Sequence, residues 1–494
     1  MIPNGRVGFR RLSGNPRQFN CRVVHKAKEK EAYMPCVTQG NKIKVEVYMT
    51  QKYMFVRVHY DKRVASLEPL GLEYLMACVK AENREGFIYD ESIESPVGRK
   101  SRLIRKVDGN QVTIVGFSVM SNTAWYVLDL IKYLRKKRPN IKIMVGGPEV
   151  VINHEDFLLD EIDYVSYDNG LDSFRLAIRN DFDVETLKNC SGFSFRVNGE
   201  WVQNLKGEPI SDYGILPDRS HFYNNRSKFK VLAKGCFSMM KTAFSCPQNC
   251  KFCISRQFNS CAYRERDIDD VIDEIVNLDN DKIFIIDDDF LVNKDRVKYF
   301  CEKLLELNQH KTIMIFSRAD SIVRCEDIMP LIYKAGIRDM LVGLEAVEDT
   351  TLEKYNKNSS VTINKKAVQI LRDFNMVCVG LFVINYDFKH KDFMNINKFI
   401  RDEKLIWVLF SILIPFKGTP VYDENKDKLY HYKYRRTGGT SVLMKPSNMP
   451  MLLFKLEFHF LYYVNYPRIY WAGLTHTFNK RYRNNSDMET VNTN

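Results

Sequence analysis

From Lys52 onward, apolar and polar positions follow two alternating periods. Lys52 to Tyr60 (KYMFVRVHY) predicts a strand, and Leu70 to Ala81 (LGLEYLMACVKA) a helix with Leu72, Leu75, Met76 and Val79 on one face. Val112 to Phe117 (VTIVGF) is a continuous apolar run of strand length. A helix from about Thr123 to Lys136 follows, carrying Val127, Leu130, Ile131 and Leu134 on one side. The strand Ile141 to Val145 ends at Gly146-Gly147-Pro148, so strand, helix and strand joined by short loops predict a parallel α/β unit. Gly192 to Asn204 reads as a hairpin turning at Asn198-Gly199.

A proline-containing polar connector, Lys206 to Lys228, divides this half from a second one. There Phe229 to Ala233 leads to strands at Lys282 to Ile286, Thr312 to Phe316, Asp339 to Gly343, Cys378 to Ile384 and Ile406 to Leu413. Helices are expected near Asp267 to Leu278, Asp295 to Leu307, Asp327 to Ala335 and Ile363 to Phe374. Six parallel β/α units with polar residues just past the strand ends describe a full or partial barrel, and such barrels carry their sites at the C-terminal face. Any one of those charges, taken alone, is equally a helix cap or a solvated loop charge. The domain layout is a basic N-terminal arm (1–45) without a sustained period, a Rossmann-like α/β domain (46–205), a linker (206–228), a partial (β/α)6 TIM-type barrel (229–425) and a small helical C-terminal cap (426–494).

Composition narrows the class. With 45% hydrophobic and 27% charged residues in 494, global disorder is excluded. The net charge of +13 is spread along the chain. It therefore suits solubility and attraction of anionic cofactors, and no nucleic-acid partner is expected. There is no membrane-length apolar run and no apolar signal core in MIPNGRVGFRR, so a cytoplasmic location is expected. The aromatic stretch 449–471 reads as a core or capping helix, with a substrate lid or a peripheral membrane contact as alternatives.

Nine of the twelve cysteines are scattered without a repeated spacing. The other three, Cys246, Cys250 and Cys253, form C-x3-C-x2-C. A closed zinc site needs four ligands, and only Cys236 or Cys261 lies near enough to supply a fourth. Iron-sulfur clusters take cysteine thiolates, and three in one loop leave one iron of a 4Fe-4S cluster open to a substrate or cofactor.

The run Cys-Pro-Gln-Asn-Cys-Lys-Phe-Cys, followed by β/α units, resembles the cluster loop of the radical S-adenosylmethionine (SAM) superfamily. The resemblance implies that these three cysteines hold a 4Fe-4S cluster whose open iron takes SAM, and that SAM is cleaved to a 5′-deoxyadenosyl radical. It extends to Phe252, to Asp287 and Asp288 in IDDDF, to Arg318 in Ser-Arg-Ala-Asp and to Glu345 in Gly-Leu-Glu, all implied to bind SAM; Leu352 and Lys357 follow Glu345 as part of the same pattern. Val379 to Asn385 and Ile414 to Pro420 are similar to the adenine-side segments. An acceptor, a cation and a second acceptor on adjacent strand ends suit a zwitterion plus a ribose.

No G-x-G-x-x-G opens a helix of the first α/β domain, which argues against a dinucleotide. Its pattern is similar to the cobalamin (B12)-binding domain of one radical SAM subclass at Pro69 to Leu75, Val115 to Ser118 and Val145 to Glu149. This implies cobalamin contacts at Leu70, Ser118, Gly146, Gly147 and Pro148. Two departures stand out. Asp61-Lys62-Arg63 lacks the His of a D-x-H-x-x-G motif, and His59 reads as a strand residue, so no protein His is expected below the cobalt. Tyr164 to Ser173 replaces a Gly-Glu-rich run.

The subclass implies an enzyme that moves a methyl group from methylcobalamin to an unactivated carbon of a small or lipid-like molecule. An external one-electron reductant of flavodoxin or ferredoxin type is implied with it. The alternatives are a radical SAM-cobalamin cyclase or rearrangement enzyme, a tRNA-modifying radical SAM enzyme and a zinc-stabilised binding module. The residue that performs the catalytic step on substrate is not identified by the sequence.

Overall fold

The computed structural model describes the backbone of residues 7–11, 19–24, 31–39 and 42–44, and of 51–474 except 59–64, 96, 169, 232–233 and 431–438; side chains are described within 51–465. His59, Asp61, Lys62 and Arg63 lie outside the described residues, as do 232–233 of the Phe229 to Ala233 run. The chain divides into residues 1–51 and 52–494. The first unit, where no period is legible in the sequence, carries four antiparallel strands in sequential order.

The second unit begins with a seven-stranded sheet. Its strands are β1 (Lys52–Arg57), β2 (Glu85–Asp90), β3 (Ile114–Ser118), β4 (Lys142–Gly146), β5 (Tyr164–Ser166), β6 (Phe193–Val197) and β7 (Glu200–Gln203). The order is β7-β6-β5-β4-β3-β1-β2, with β1 to β5 parallel and β6 and β7 antiparallel. The strands β1, β3 and β4 are buried on both faces, which is why they read as continuous apolar runs. The β6–β7 turn places Asn198 and Gly199 at φ of 52° and 92°, the double left-handed geometry of a two-residue hairpin. Two parallel strands escape the sequence pattern: β2, whose first half is only partly buried, and β5, only three residues long. The helix Arg99–Gly109 escapes it too, because it buries only Leu103 and Val107. The order 2-1-3-4-5 is doubly wound and switches direction between β1 and β3, where such sheets open a ligand crevice at the strand C-termini.

The barrel is a six-stranded parallel sheet in sequential order: β8 (Ser238–Met240), β9 (Lys282–Ile285), β10 (Thr312–Arg318), β11 (Ile337–Glu345), β12 (Val377–Ile384) and β13 (Trp407–Ile412). Its edge strands β8 and β13 are not paired to each other, so the barrel is open on one side. The first barrel strand is Ser238–Met240 and not the Phe229 to Ala233 run, of which Lys230–Val231 instead pairs with Ala65–Ser66. Period-two alternation sends Phe284, Met314, Leu341, Val379 and Trp407 to an inner cluster with Phe237. Their neighbours Ile283, Ile285, Ile313, Ile315, Met340 and Val342 pack outward against the helices. The helix Met451–Leu474 packs on the barrel, where Tyr462 Oη bonds the carbonyl of Phe410 at 2.6 Å and accepts its N–H at 3.2 Å. Those backbone groups lie on an edge strand, which otherwise leaves them exposed.

Candidate active site

Beyond β8 the chain forms a short ladder, Ala243–Phe244 with Arg264–Glu265, and the loop between carries Cys246, Cys250 and Cys253. Cys246 is buried and the other two are half-buried. Burial pushes the Cys246 thiol up to about 12 and raises that of Cys253, with hydrogen bonds from Gln248 and Ser255 working in the opposite direction. The loop is held from outside itself. Lys251 N donates to the Tyr355 carbonyl at 2.9 Å, and Asn356 Nδ2 to that of Asn249 at 2.8 Å. The Phe252 ring meets Tyr355 edge-on at 5.0 Å. Asn259 binds both backbone groups of Ile210, fastening the interdomain connector to the same loop.

The strands carrying the charged residues run further than their apolar cores suggest. Arg318 still pairs with Gly343, and Glu345 with Phe382, so both stand on final strand residues instead of in loops. Their backbones are therefore fixed by the sheet. Arg318 is buried; Nε donates to Asp320 at 2.9 Å, Nη1 to Cys250 Sγ at 3.4 Å and Nη2 to the Lys357 carbonyl. Of its five N–H donors, three are engaged and two remain. Glu345 has φ of 61°, and its Oε1 accepts from the buried Lys357 ammonium at 2.8 Å. The ammonium is pulled down by burial, but Glu345 outweighs this and raises its pKa.

The three aspartates after β9 divide their work. Asp287 is buried with both oxygens turned to Thr242 and Ala243, at 2.7 Å and 3.1 Å to the backbone N–H groups and 2.5 Å to the hydroxyl. These three bonds brace the start of the cysteine loop, and Oδ2, which takes only the Thr242 hydroxyl, keeps further acceptor capacity. Asp289 accepts from Ser321 Oγ at 2.6 Å and Ser317 Oγ at 3.2 Å. Asp288 is half-buried, and among the described residues only its Oδ1 is engaged, by Ser255 Oγ at 2.6 Å.

A cavity of about 340 Å³ opens at the ends of the last strands, lined by Phe252, Cys253, Glu345, Leu381, Ser411 and Phe416 among others. Its walls include the adenine-side segments named from the sequence, and its size suits a small-molecule site.

In the α/β domain, Ser118, Gly146, Gly147 and Pro148 stand together at the ends of β3 and β4, beside the switch point. A Cβ on Gly147 (φ +100°) would lie 2.9 Å from Val119 N and 3.1 Å from Ser118 Oγ, so only glycine lets these strand ends meet. Leu70 begins the first helix and is buried in its core. The short helix Pro148–Asn153 packs against the turn Ser255–Asn259, joining the glycine end of β4 to the cysteine loop. In Tyr164 to Ser173, Asp168 accepts from Ser191 Oγ at 2.9 Å and Gly207 N at 3.0 Å, and Tyr167 stacks on His154 at 4.1 Å.

Sequence reasoning missed Tyr355, Asn356, Ser255 and Asn259 as supports of the loop. A signal existed for the first two, which fall inside the Leu352 to Lys357 segment.

The donor set fits an iron-sulfur cluster: three thiols in one loop, N–H groups bonded to two of them and a guanidinium on the third. Among the described residues no three Cys, His, Asp or Glu side chains close on one point as around a single ion. Thiolates on separate irons stand further apart than the ligands of one ion. The closed zinc reading through Cys236 or Cys261 gains nothing from this arrangement.

The two halves thus form a B12-type α/β domain and a SAM-type open barrel. The B12 binding domain family matches residues 57–177, and the Radical SAM superfamily matches residues 240–400. The chain belongs to the B12-binding subclass of the radical SAM superfamily, and it is an enzyme of that superfamily. It is 26% identical over 319 residues to the anaerobic magnesium-protoporphyrin IX monomethyl ester cyclase of Synechocystis sp., covering 63% of this chain and 64% of that protein. It is 22% identical over 405 residues to the hopanoid C-3 methylase of Methylococcus capsulatus, covering 79% and 75%. Among solved structures, the methyltransferase TsrM of Kitasatospora setae, with cobalamin and a [4Fe-4S] cluster bound, superposes with a TM-score of 0.62 at 16% identity, covering 82% of this chain and 84% of that one. No described helix is long and apolar enough to cross a membrane.

Proposed function

We propose that the protein is a cobalamin-dependent radical SAM methyltransferase that methylates an unactivated carbon of a small or lipid-like molecule. When bound, the cluster and cobalamin supply reductive cleavage of SAM to a 5′-deoxyadenosyl radical and a transferable methyl group. Cys246, Cys250 and Cys253 hold the cluster. The two remaining donors of Arg318 take the SAM carboxylate as a fork, and the second oxygen of Asp288 accepts from its amine. Glu345 Oε2 accepts from a ribose hydroxyl while Lys357 fixes Oε1. Phe252 and the apolar cavity wall exclude water from the adenosyl side. Asp287 braces the loop start and can add a further acceptor on the same side. Ser118 and Gly146-Gly147-Pro148 line the cobalamin crevice, with Leu70 packed beneath.

One observation carries this reading. The Arg318 guanidinium lies 3.4 Å from Cys250 Sγ and bonds the carbonyl of Lys357, whose ammonium holds Glu345, so cluster loop, carboxylate receptor and ribose receptor are one connected unit. Methyl transfer is supported by the likeness to the hopanoid methylase. The likeness to the magnesium-protoporphyrin ester cyclase favours a second reading, radical cyclisation without methyl transfer. Anaerobic reconstitution with iron, sulfide and hydroxocobalamin, followed by SAM and a one-electron reductant, tests both. Release of 5′-deoxyadenosine by the wild type but not Cys250→Ala is expected. Release of S-adenosylhomocysteine marks methyl transfer; its absence with deoxyadenosine present favours the cyclase.

A further inference from the structure

The C-terminal helix has two faces with different uses. Its inner face, Phe454, Phe458 and Leu461 with Glu457 and Asn465, is buried. Glu457 bonds His390 at 2.5 Å, and Asn465 donates to Asn397 at 2.9 Å. Its outer face exposes Leu452 (70%), Leu453, Leu456 (58%), Phe460, Tyr463 (77%) and Val464. At 100° per residue these six fall within one arc of about 120°, the width of an apolar stripe that demands a partner. The remaining exposed side chains of Met451–Asn465 are Lys455 and His459, side by side on the flank of that arc. None of the exposed side chains in this span is acidic, because its one carboxylate, Glu457, is turned inward.

We propose that this face docks the enzyme on an anionic lipid surface, with the helix lying in the plane of the interface. An apolar stripe with a lysine on its flank and an aromatic residue with a polar tip is the composition of an interfacial helix. With Lys455 exposed and no exposed carboxylate between Met451 and Asn465, the charge of this face complements an anionic surface. No described helix, this one included, is both long and apolar enough to cross a membrane. Docking would place the lipid surface one helix away from the cavity, since Tyr462 on the same helix holds the backbone of Phe410, a cavity-wall residue. The inference concerns where the enzyme works and stands apart from the choice between methyl transfer and cyclisation.

The test is flotation of the full chain with vesicles of phosphatidylglycerol and phosphatidylcholine, against phosphatidylcholine alone. Wild type is expected to float with the anionic vesicles and weakly with the neutral ones. Leu456→Glu/Phe460→Glu is expected to bind at least tenfold more weakly, and Lys455→Glu to lose the preference for anionic lipid. Deoxyadenosine release in lipid-free solution should stay at the wild-type level in all of them, which separates lost docking from lost folding. Should the double variant unfold, Leu452→Glu/Tyr463→Glu serves in its place. The proposal is overturned if wild type stays at the bottom of the gradient at every lipid concentration. It is equally overturned if sedimentation shows a dimer that the double variant dissolves, which would make the face a contact between two copies.

Discussion

Lys357 Nζ lies 2.8 Å from Glu345 Oε1, both side chains are nearly buried, and the pair rests directly on Gly343. A Cβ on that glycine would stand 2.6 Å from the carboxylate and 2.9 Å from the ammonium. Removing the cation leaves a buried carboxylate without its counter-charge, which costs about 3–5 kcal/mol. Lys357→Met should therefore lower the melting temperature and weaken SAM binding by tenfold or more, since the Glu345 carboxylate then loses the partner that fixes its position. Thermal melts and SAM titration of the reconstituted protein measure the two effects. Gly343→Ala should displace the ends of both side chains with their charges intact, weakening SAM binding with a smaller loss of stability than Lys357→Met.

Arg318 serves the same unit from the neighbouring strand. Arg318→Lys keeps the charge but loses the planar fork and its simultaneous reach to Cys250, Asp320 and the Lys357 carbonyl. A charge-assisted hydrogen bond is worth about 1.5–3 kcal/mol, so a rise of tenfold or more in the SAM dissociation constant is expected. Iron content and the sulfur-to-iron absorption should stay near wild type, because the three thiols remain. Loss of iron along with SAM binding would instead make Arg318 a support of the loop.

Gly147→Ala tests the crevice of the α/β domain independently. At φ of +100° an alanine is strained, and its Cβ collides with Val119 N and Ser118 Oγ, at a cost of about 1–3 kcal/mol. The ends of β3 and β4 must part. Hydroxocobalamin retained after gel filtration should fall well below wild type, whereas iron binding by the cysteine loop should survive.

The sequence carried the strand and helix alternation, because buried parallel strands are continuous apolar runs and their helices have one clear apolar face. It carried less where burial is partial, as in Glu85–Asp90, or where an element is short, as in Tyr164–Ser166. The cluster loop was legible because C-x3-C-x2-C is rare and local. Asp287 and Asp288 show the opposite case: adjacent in sequence and chemically identical, they are told apart by tertiary contacts, the three hydrogen bonds from Thr242 and Ala243 on one and the single one from Ser255 on the other. The supports of the loop are Asn356, Tyr355 and Asn259, whose partners lie 49 to 107 residues away in the chain or are backbone groups; spacing does not encode such contacts.

A charge count at the seam between the two domains yields the last prediction. Glu68 accepts from Arg219 at 2.5 Å and from the backbone of Met239 in β8; Arg219 also donates to Glu274 at 2.9 Å. Arg266 donates to Glu274 at 2.8 Å and to Asp212 at 2.7 Å. Three carboxylates already exceed two guanidinium groups, and Glu73 sits fully buried beside Glu68. Burial first, and the Glu68 charge second, push Glu73 up to about 10. It is therefore neutral in the folded enzyme at neutral pH and ionised in the unfolded chain. A carboxyl whose folded pKa is raised stabilises most below its ordinary pKa, and the contribution falls as pH rises towards the folded value. By pH 7 the wild type should have lost about 3 kcal/mol at most relative to acid conditions, from about 1.4 kcal/mol per unit. Glu73→Gln, neutral in both states, removes that slope. The variant should be more stable than wild type at neutral pH, with a gap that widens between about pH 5 and pH 9. Denaturant unfolding across that range measures it, and a gap independent of pH would show that Glu73 is ionised in the fold.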